Sequence, residues 1–252
     1  MQRSAAAAGR RAPRFFVDGP LGQGMLLLPD ETAHHAVRVL RLRAGDELVL
    51  FDGRGGEHAA RLASVQRLRV EVEVLEYRAI ERESRLRLVL VQGVSSSERM
   101  ELTIRKAVEL GVAEIHPVLA TASVARPEGE RAAGRQAHWR KIAISACEQC
   151  GRNRIPLVVP PRELPLPPGF GASEAKILLS PGAPTPIAQL VSGKQGFVLA
   201  AGPEAGFDER EEQGFLDAGF VAANLGPRVL RTETAALAAL AALHALAGDF
   251  RA

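Results

Sequence analysis

The chain has no run of apolar residues long enough to cross a bilayer, and no apolar signal core precedes a small-residue cleavage site. Neither a membrane partner nor a secretory route is expected, and the reading is a cytoplasmic protein. Cysteine is nearly absent, Cys147 and Cys150 being the only two. Such a C-x-x-C pair holds zinc only when further ligands recur at comparable spacing, and none does. A redox pair belongs at a helix start after a strand, whereas this one falls near a helix end. Two reduced thiols along one side of a helix are expected, and no metal. Lysine is as scarce: Lys106, Lys141, Lys176 and Lys194 stand against 28 arginines in a chain of net charge +3. Asp52-Gly53-Arg54-Gly55-Gly56 has the glycines of a phosphate loop but neither its lysine nor a following helix, so it reads as a turn. Arginine suits phosphates and stacked bases, but GC-biased coding gives the same excess. No internal repeat is present.

What remains is a chain of 252 residues, enough for one large domain or two modest ones. Residues 1–13 are Ala/Arg-rich and free of acids; they read as a disordered tail, with a transit peptide the other reading. Residues 14–78 read as a small β domain. Strand-sized runs at Phe15–Val17, Glu47–Phe51, Ala59–Val65 and Val70–Leu75 are separated by Gly/Asp turns. One helix, about Glu31 to Leu42, interrupts them, with Ala33, Ala36, Val37 and Leu40 inward. Its other side carries His34, Arg38 and Arg41 at i, i+4 and i+7, and Arg43 follows. That face is either an RNA platform or an ordinary solvated surface.

Tyr77–Arg85 is charged and reads as the link to a second domain, 86–252, where strands alternate with helices. Leu86–Val91 and Glu114–Leu119 are strands. A helix over Glu98–Leu110 turns Met100, Ile104, Ala107 and Val108 inward and ends at Gly111. Arg126–Gln136 is polar, and His138–Cys150 is a helix with Trp139, Ile142, Ala143 and Ala146 inward. Five prolines between Pro160 and Pro168 force an extended connection. Strands follow at Lys176–Leu179, Gly196–Ala201 and Phe220–Leu225.

Three of these strand ends share a character: Leu179-Ser180-Pro181-Gly182, Ala201-Gly202-Pro203-Glu204 and Leu225-Gly226-Pro227. Ligands of open parallel sheets collect at the carboxyl edge of the strands, and small or rigid residues there let backbone touch ligand. None fits a dinucleotide or triphosphate motif, so a smaller adenosine-type ligand is expected. The third end leads into Arg228, Arg231, Thr232, Glu233 and Thr234, then into a helix of leucine and alanine. Thr232 or Thr234 can cap that helix. A helix apolar on every face needs burial in a core or a subunit interface, and a charged cluster beside it marks the active-site candidate.

At these residues the chain resembles a known family. GPEAGF (202–207), LGPRVLRTETA (225–235), KAVELGV (106–112) and ACEQCGRNRIP (146–156) are similar to motifs of the RsmE family of small-subunit rRNA methyltransferases, in the SPOUT superfamily. The likeness extends to Arg14-Phe15-Phe16 and to His35 with Arg38-Val39-Leu40-Arg41, and so covers nearly the whole chain past the tail. The resemblance implies an α/β fold: a SPOUT-type knotted methyltransferase domain with a parallel sheet, preceded by a small PUA-like β-barrel domain. Ordinary chain topology argues against a knot, so that feature rests on resemblance alone. Also implied are S-adenosyl-L-methionine as cofactor and N3 of a uridine in 16S rRNA of the small ribosomal subunit as substrate. A homodimer through the C-terminal helix is implied as well. Carried onto this sequence, Leu179, Ser180, Pro181, Gly202, Pro203, Glu204, Gly206, Leu225, Gly226, Leu230 and Thr234 hold cofactor. Arg14, His35, Arg38, Arg41, Arg43, Arg152 and Arg154 hold RNA.

Arg231 and Glu233 are the catalytic candidates. Uridine N3 carries a proton at neutral pH; a carboxylate can accept it while an arginine stabilises charge on the base carbonyls. The other reading makes Glu233 and Arg231 structural partners. Two departures from the family pattern stand out. Ala205 replaces a glycine, and an alanine at positive φ costs about 1 kcal/mol. Ala122 stands where an arginine is common, a job that Arg126 can take. The alternatives to the main reading are a 2′-O-ribose RNA methyltransferase and a non-catalytic RNA-binding assembly protein.

Overall fold

The computed structural model describes residues 12–67, 69–123, 126 and 129–251, which fall into two compact units. The expected disordered tail lies outside the described residues except for its last two positions. One unit comprises the chain up to Arg82 together with Cys147–Ile155; the other comprises Glu83–Ala146 and Pro156 onward. The return of 147–155 to the first unit was not legible in the sequence, which placed everything after residue 86 in the second.

The first unit is a five-stranded sheet in the order β1-β3-β4-β5-β2. Its strands are β1 (Arg14–Phe16), β2 (Gly24–Leu27), β3 (Glu47–Phe51), β4 (Glu57–Gln66) and β5 (Arg69–Arg78). Alternation makes it: Leu48 and Leu50, Ala60 and Leu62, and Val70, Val72 and Val74 all point into one core with Phe15, Ala33 and Ala36. The edge strand β2 was missed because Met25 and Leu27 are exposed, leaving no alternation to detect. The expected helix is a short α1 (Asp30–His34) that widens into a π-helical turn over His35–Val39. Leu40 is therefore exposed rather than inward, and Arg41 has left the helix, with φ 58.

A buried charge cluster ties this unit together. Arg14 donates to Glu57 (Nη1–Oε2 2.5 Å), to Asn153 Oδ1 and to the Arg152 carbonyl (3.3 Å). Arg82 and the Asn153 amide reach the same Glu57 oxygen at 3.1 and 3.3 Å. Burial alone would raise the Glu57 carboxyl, but the two guanidiniums and the amide hold it below the ordinary carboxylate value. Phe16 N–H donates to Glu148 at 2.9 Å, a second tie between β1 and the 147–155 segment.

The second unit is a parallel sheet in the order β12-β10-β11-β6-β7-β8, with β9 also pairing β7. Its strands are β6 (Arg87–Gly93), β7 (Glu114–Leu119), β8 (Leu157–Val158), β9 (Arg162–Glu163), β10 (Ala175–Leu179), β11 (Gly196–Ala201) and β12 (Val221–Ala223). Both faces are covered, so β6, β7 and β11 read as continuous apolar runs. Helix α2 (Ser97–Glu109) buries Met100, Ile104, Ala107 and Val108 as its period demands. Helix α3 spans Gly129–Cys150 and starts nine residues before the expected His138. Helix α4 (Glu209–Asp217) opens on a capping box between Asp208 and Glu211.

Helix α5 (Thr232–Ala247) buries Ala236, Ala239, Leu240 and Leu243 within the same unit, where it packs against α2. Its other side, Leu237, Ala238, Ala241 and Ala242, is only half-buried, and Leu246 is exposed. Before reaching α5 the chain crosses the sheet edge. Asn224 is bonded to the β10–β11 connection through its amide, its N–H and its carbonyl, at Ala183, Thr185 and Ile187. The segment then passes the end of β10 to reach β11 and β6.

The Glu57 cluster gives a pH dependence of defined sign. A carboxyl held low in the folded state stabilises fully above the unfolded value, near 4.5, and loses that contribution as pH falls through its folded pKa. Urea midpoints measured from pH 7 down to pH 3 should fall over that range, and Glu57→Gln should flatten this part of the curve. Arg14→Met strands a buried carboxylate and should cost about 3–5 kcal/mol at neutral pH.

Candidate active site

The three strand ends meet at one edge. Leu179 is in register with Ala223 and Leu178 with Ala200, while Ala201 pairs with Gln92 at the end of β6. The strand order reverses between β6 and β11: one half of the unit grows away through β7, the other through β11, β10 and β12. Crevices that bind ligands in parallel sheets form at such reversals.

Into this reversal runs the start of α5. The Thr232 hydroxyl donates to the Gly202 carbonyl (2.5 Å) and accepts from Gln92 Nε2 (3.0 Å), so it closes onto the ends of β11 and β6. Thr232 is therefore not a helix cap. Arg231 occupies that position without any capping bond, and Thr234 is exposed. Gly202 is fixed by close approach, because a Cβ there would lie 2.9 Å from the backbone of Gly206 and Phe207. The positive φ of this loop falls on Gly206 (82°), and Ala205 is not among the described residues with positive φ. The departure at Ala205 therefore carries no backbone strain.

A cleft beside this edge is lined by Leu179, Ser180, Pro181, Ala223, Leu225, Arg228, Leu230 and Ala235. Five of the expected cofactor residues are thus together: Leu179, Ser180, Pro181, Leu225 and Leu230. Gly202 and Pro203 instead pack the β11 loop, where Pro203 lies against Gly93. Gly226 N–H turns back to Asn224 Oδ1 (3.0 Å). Ala223, Arg228 and Ala235 are additions; Arg228 stood in the quoted LGPRVLR run but received no role. A larger hollow of about 400 Å³ lies beside α4, between Leu164, Leu166, Phe215 and Ala218. It includes none of the three strand ends, whereas the smaller cleft gathers five of the expected cofactor residues.

Glu204 is a correction. Its carboxylate turns to α2 rather than to the cleft, accepting from Ser96 N–H (3.0 Å) and pairing with Arg99 (3.1 Å). Burial would raise this carboxyl, yet the Ser96 N–H, its own N–H, the Ser96 hydroxyl and Arg99 hold it low. The same guanidinium reaches Glu233, with Arg99 Nε 3.8 Å from Oε2. Glu233 Oε2 is buried and accepts no hydrogen bond. Arg99 therefore bridges Glu204 and Glu233, and Arg231 stands exposed beside them. Sequence reasoning missed Arg99 because it lies in a charged helix start, 134 residues from Glu233. Its one local signal is its place at the start of a helix that follows β6.

The expected RNA contacts divide. Arg14 and Arg152 are buried, at 8% and 4% exposure, and belong to the interior of the first unit, which corrects their assignment. Arg38, Arg41 and Arg43 are exposed; His35 is half-buried with its ring edge-on to Phe15 at 5.6 Å. Arg154 is exposed and 3.6 Å from Glu81. Ala122 is exposed in the turn after β7. Both cysteines are free, Cys147 buried and Cys150 partly so. Among the described residues no cluster could hold a metal ion, and no helix is long and apolar enough to cross a membrane.

A family model for an RNA methyltransferase domain matches residues 82–244, and one for an RNA methyltransferase PUA domain matches residues 28–75. The fold and the site thus define an RNA methyltransferase whose catalytic domain follows a PUA domain. The chain is 30% identical to ribosomal RNA small subunit methyltransferase E of Buchnera aphidicola subsp. Acyrthosiphon pisum, over 100% of both chains. It is 34% identical to that of Mycobacterium bovis, over 92% of this chain and 91% of the relative. The crystal structure of the Neisseria gonorrhoeae enzyme bound to S-adenosyl methionine superposes with a TM-score of 0.88 at 41% identity, covering 95% of this chain and 100% of that one. A Legionella pneumophila methyltransferase in complex with the same cofactor gives 0.87 at 36% identity, with the same coverage. The chain belongs to the ribosomal RNA small subunit methyltransferase E family, of SPOUT-type fold.

The Thr232 bridge makes a testable demand. Thr232→Val keeps the volume but leaves the Gly202 carbonyl and Gln92 amide without their buried partner, and should cost about 1–3 kcal/mol. Chemical denaturation should show this loss, with Thr232→Ser retaining most of the stability.

Proposed function

We propose that this chain transfers a methyl group from S-adenosyl-L-methionine to N3 of a uridine in 16S rRNA of the small ribosomal subunit, in the cytoplasm. The observation that carries this reading is the Arg99–Glu233 pair at the first turn of α5, beside a cleft formed by the ends of the parallel strands β10 and β12 and the segment that leads into α5. The cleft fits the cofactor by its chemistry: Leu179, Leu225 and Leu230 offer apolar faces to an adenine ring, and Ala223 and Ala235 leave room beside them. Arg228 offers a cation to a carboxylate at the rim. Bound there, S-adenosyl-L-methionine supplies an electrophilic methyl on a sulfonium, which becomes a neutral thioether when the S–C bond breaks.

The chain's own residues then prepare the nucleophile. Glu233 Oε2 has an open acceptor site and takes the N3 proton of the uracil. Arg99, 3.8 Å from that oxygen, orients the carboxylate before the base arrives. Arg231, exposed at the end of the preceding loop, stabilises the negative charge that spreads to the base carbonyls. The N3 electron pair forms the new N–C bond, and no charge is left on the methylated base. Burial of the Glu233 Oε2 atom keeps water from competing for the same proton. On the first unit, exposed Arg38, Arg41, Arg43 and Arg154 supply positive charge for the RNA backbone, and His35 stands in the same helical turn as Arg38.

The activity is tested by incubating the protein with labelled S-adenosyl-L-methionine and small subunits from a strain lacking the gene, followed by nucleoside analysis for N3-methyluridine. Glu233→Gln should lower kcat by about 10²–10⁴ while the cofactor Kd holds. A purely space-filling role for Glu233 predicts nearly full kcat, since glutamine keeps its size.

The half-buried side of α5 supports a homodimer through this helix, with Ala241 and Ala242 allowing close approach. Ala242→Glu should sediment as a folded monomer with reduced methyl transfer. Ala239→Glu places its charge inside the unit, where Ala239 is 0% exposed, and should unfold the protein instead.

A further inference from the structure

The additional turns of α3 create a surface that the activity has not yet used. Arg131, Arg135 and His138 lie at i, i+4 and i+7 on that helix and so share one stripe about 10 Å long. With Arg126 they line a groove of about 580 Å³ whose other wall is Ser97 and Glu101 on α2. Arg126 is held in place by the Ala120 carbonyl (3.0 Å) and faces Glu163 at 3.3 Å. Arg135 reaches Ser97 Oγ at 2.7 Å, and Glu101 is occupied by His138 at 3.0 Å. Among the described residues the groove is therefore cationic with three arginines, and the one carboxylate lining it, Glu101, is already bonded.

The groove and the site share the N-terminal end of α2. Ser97 and Glu101 form one face of the first turns of α2. Arg99, which bridges Glu204 to Glu233, projects from the opposite side of the same turns, and Ser96, whose N–H bonds Glu204, precedes them. A strand lying along Arg131, Arg135 and Ser97 reaches the proposed base by crossing the first turn of α2, a width of about 10 Å.

We propose that this groove binds the phosphodiester backbone of single-stranded RNA flanking the reacting nucleotide. The proposal rests on the RNA reading above. A stripe of this length suits a chain of phosphates better than one small anion, because a positively charged groove tracks a strand whatever its bases are. Its role is to hold the strand so that one base can leave the stack and reach Glu233. It also supplies the cations that Ala122 does not.

The test compares wild type with Arg131→Ala/Arg135→Ala and with Arg131→Lys/Arg135→Lys. The probe is unmodified small subunits, titrated over a range of salt. The alanine pair should raise KM for subunits about tenfold. The slope of log affinity against log salt should become shallower by roughly 1.4, two phosphate contacts at about 0.7 each for single strands. The lysine pair should recover much of the loss, and Glu101→Gln should tighten binding. The cofactor Kd, read by calorimetry without RNA, should stay unchanged in every variant. An unchanged KM and salt slope in the alanine pair would overturn the groove. So would a rise in KM accompanied by weaker cofactor binding, which would mark general damage to the domain. Failure of the broader reading looks different: wild type itself would then neither bind nor methylate the subunits.

Discussion

One hydroxyl holds the catalytic unit in register. Thr232 spans the ends of β11 and β6 at the point where the strand order reverses, and it is the first residue of α5. Its neighbours Arg231 and Glu233 are consequently delivered to that same point, one on each side of a fixed anchor. The anchor works because Gly202 has no side chain, so its loop can fold back on Gly206 and present its carbonyl. Gln92 fills the other half of the bridge from the interior of β6, where it is fully buried. At that depth the bond between Gln92 Nε2 and Thr232 is costly to break, although Gln92 Oε1 itself has no hydrogen-bond partner among the described residues.

Arginine does two opposite jobs in this chain, and burial separates them. Arg14 is spent on Glu57, Asn153 and a carbonyl inside the first unit, where its charge is compensated and its role is cohesion. Arg99 sits half-exposed between two carboxylates and leaves one oxygen of Glu233 unbonded. The first arrangement gathers Arg14, Arg82 and the Asn153 amide on one carboxylate oxygen; the second leaves Glu233 Oε2 without a hydrogen bond. That difference distinguishes a structural ion pair from one that can take part in proton transfer, and neither residue type nor local spacing encodes it.

The elements were legible where burial is local and periodic. Met100, Ile104, Ala107 and Val108 define α2, and the bounds of β3, β7 and β11 follow from their apolar runs. Legibility failed where an element has no apolar face of its own. The edge strand β2 is exposed, and the first nine residues of α3 carry no large apolar side chain before Trp139, so helix and loop look alike there. The cleft residues at the ends of β10 and β12 were readable because small and rigid residues recur at each strand end. Arg99 was not readable, because its partners lie more than a hundred residues downstream.

By itself the sequence determined the two-part plan, the parallel sheet, the family and the strand ends of β10 and β12 that line the cleft, because each is written in contiguous residues or in long motifs. Only the tertiary structure decided which polar residues face one another. It moved Arg14 and Arg152 into the interior, turned Glu204 from the cleft to α2, and made Thr232 a strand bridge instead of a helix cap. It also divided α5 into a buried and a half-buried side, although leucine and alanine surround it on every face. The reason is physical: an apolar pattern is constrained by the nearest turn of chain, whereas a charge or hydroxyl is placed by partners that only folding brings within 3 Å or so.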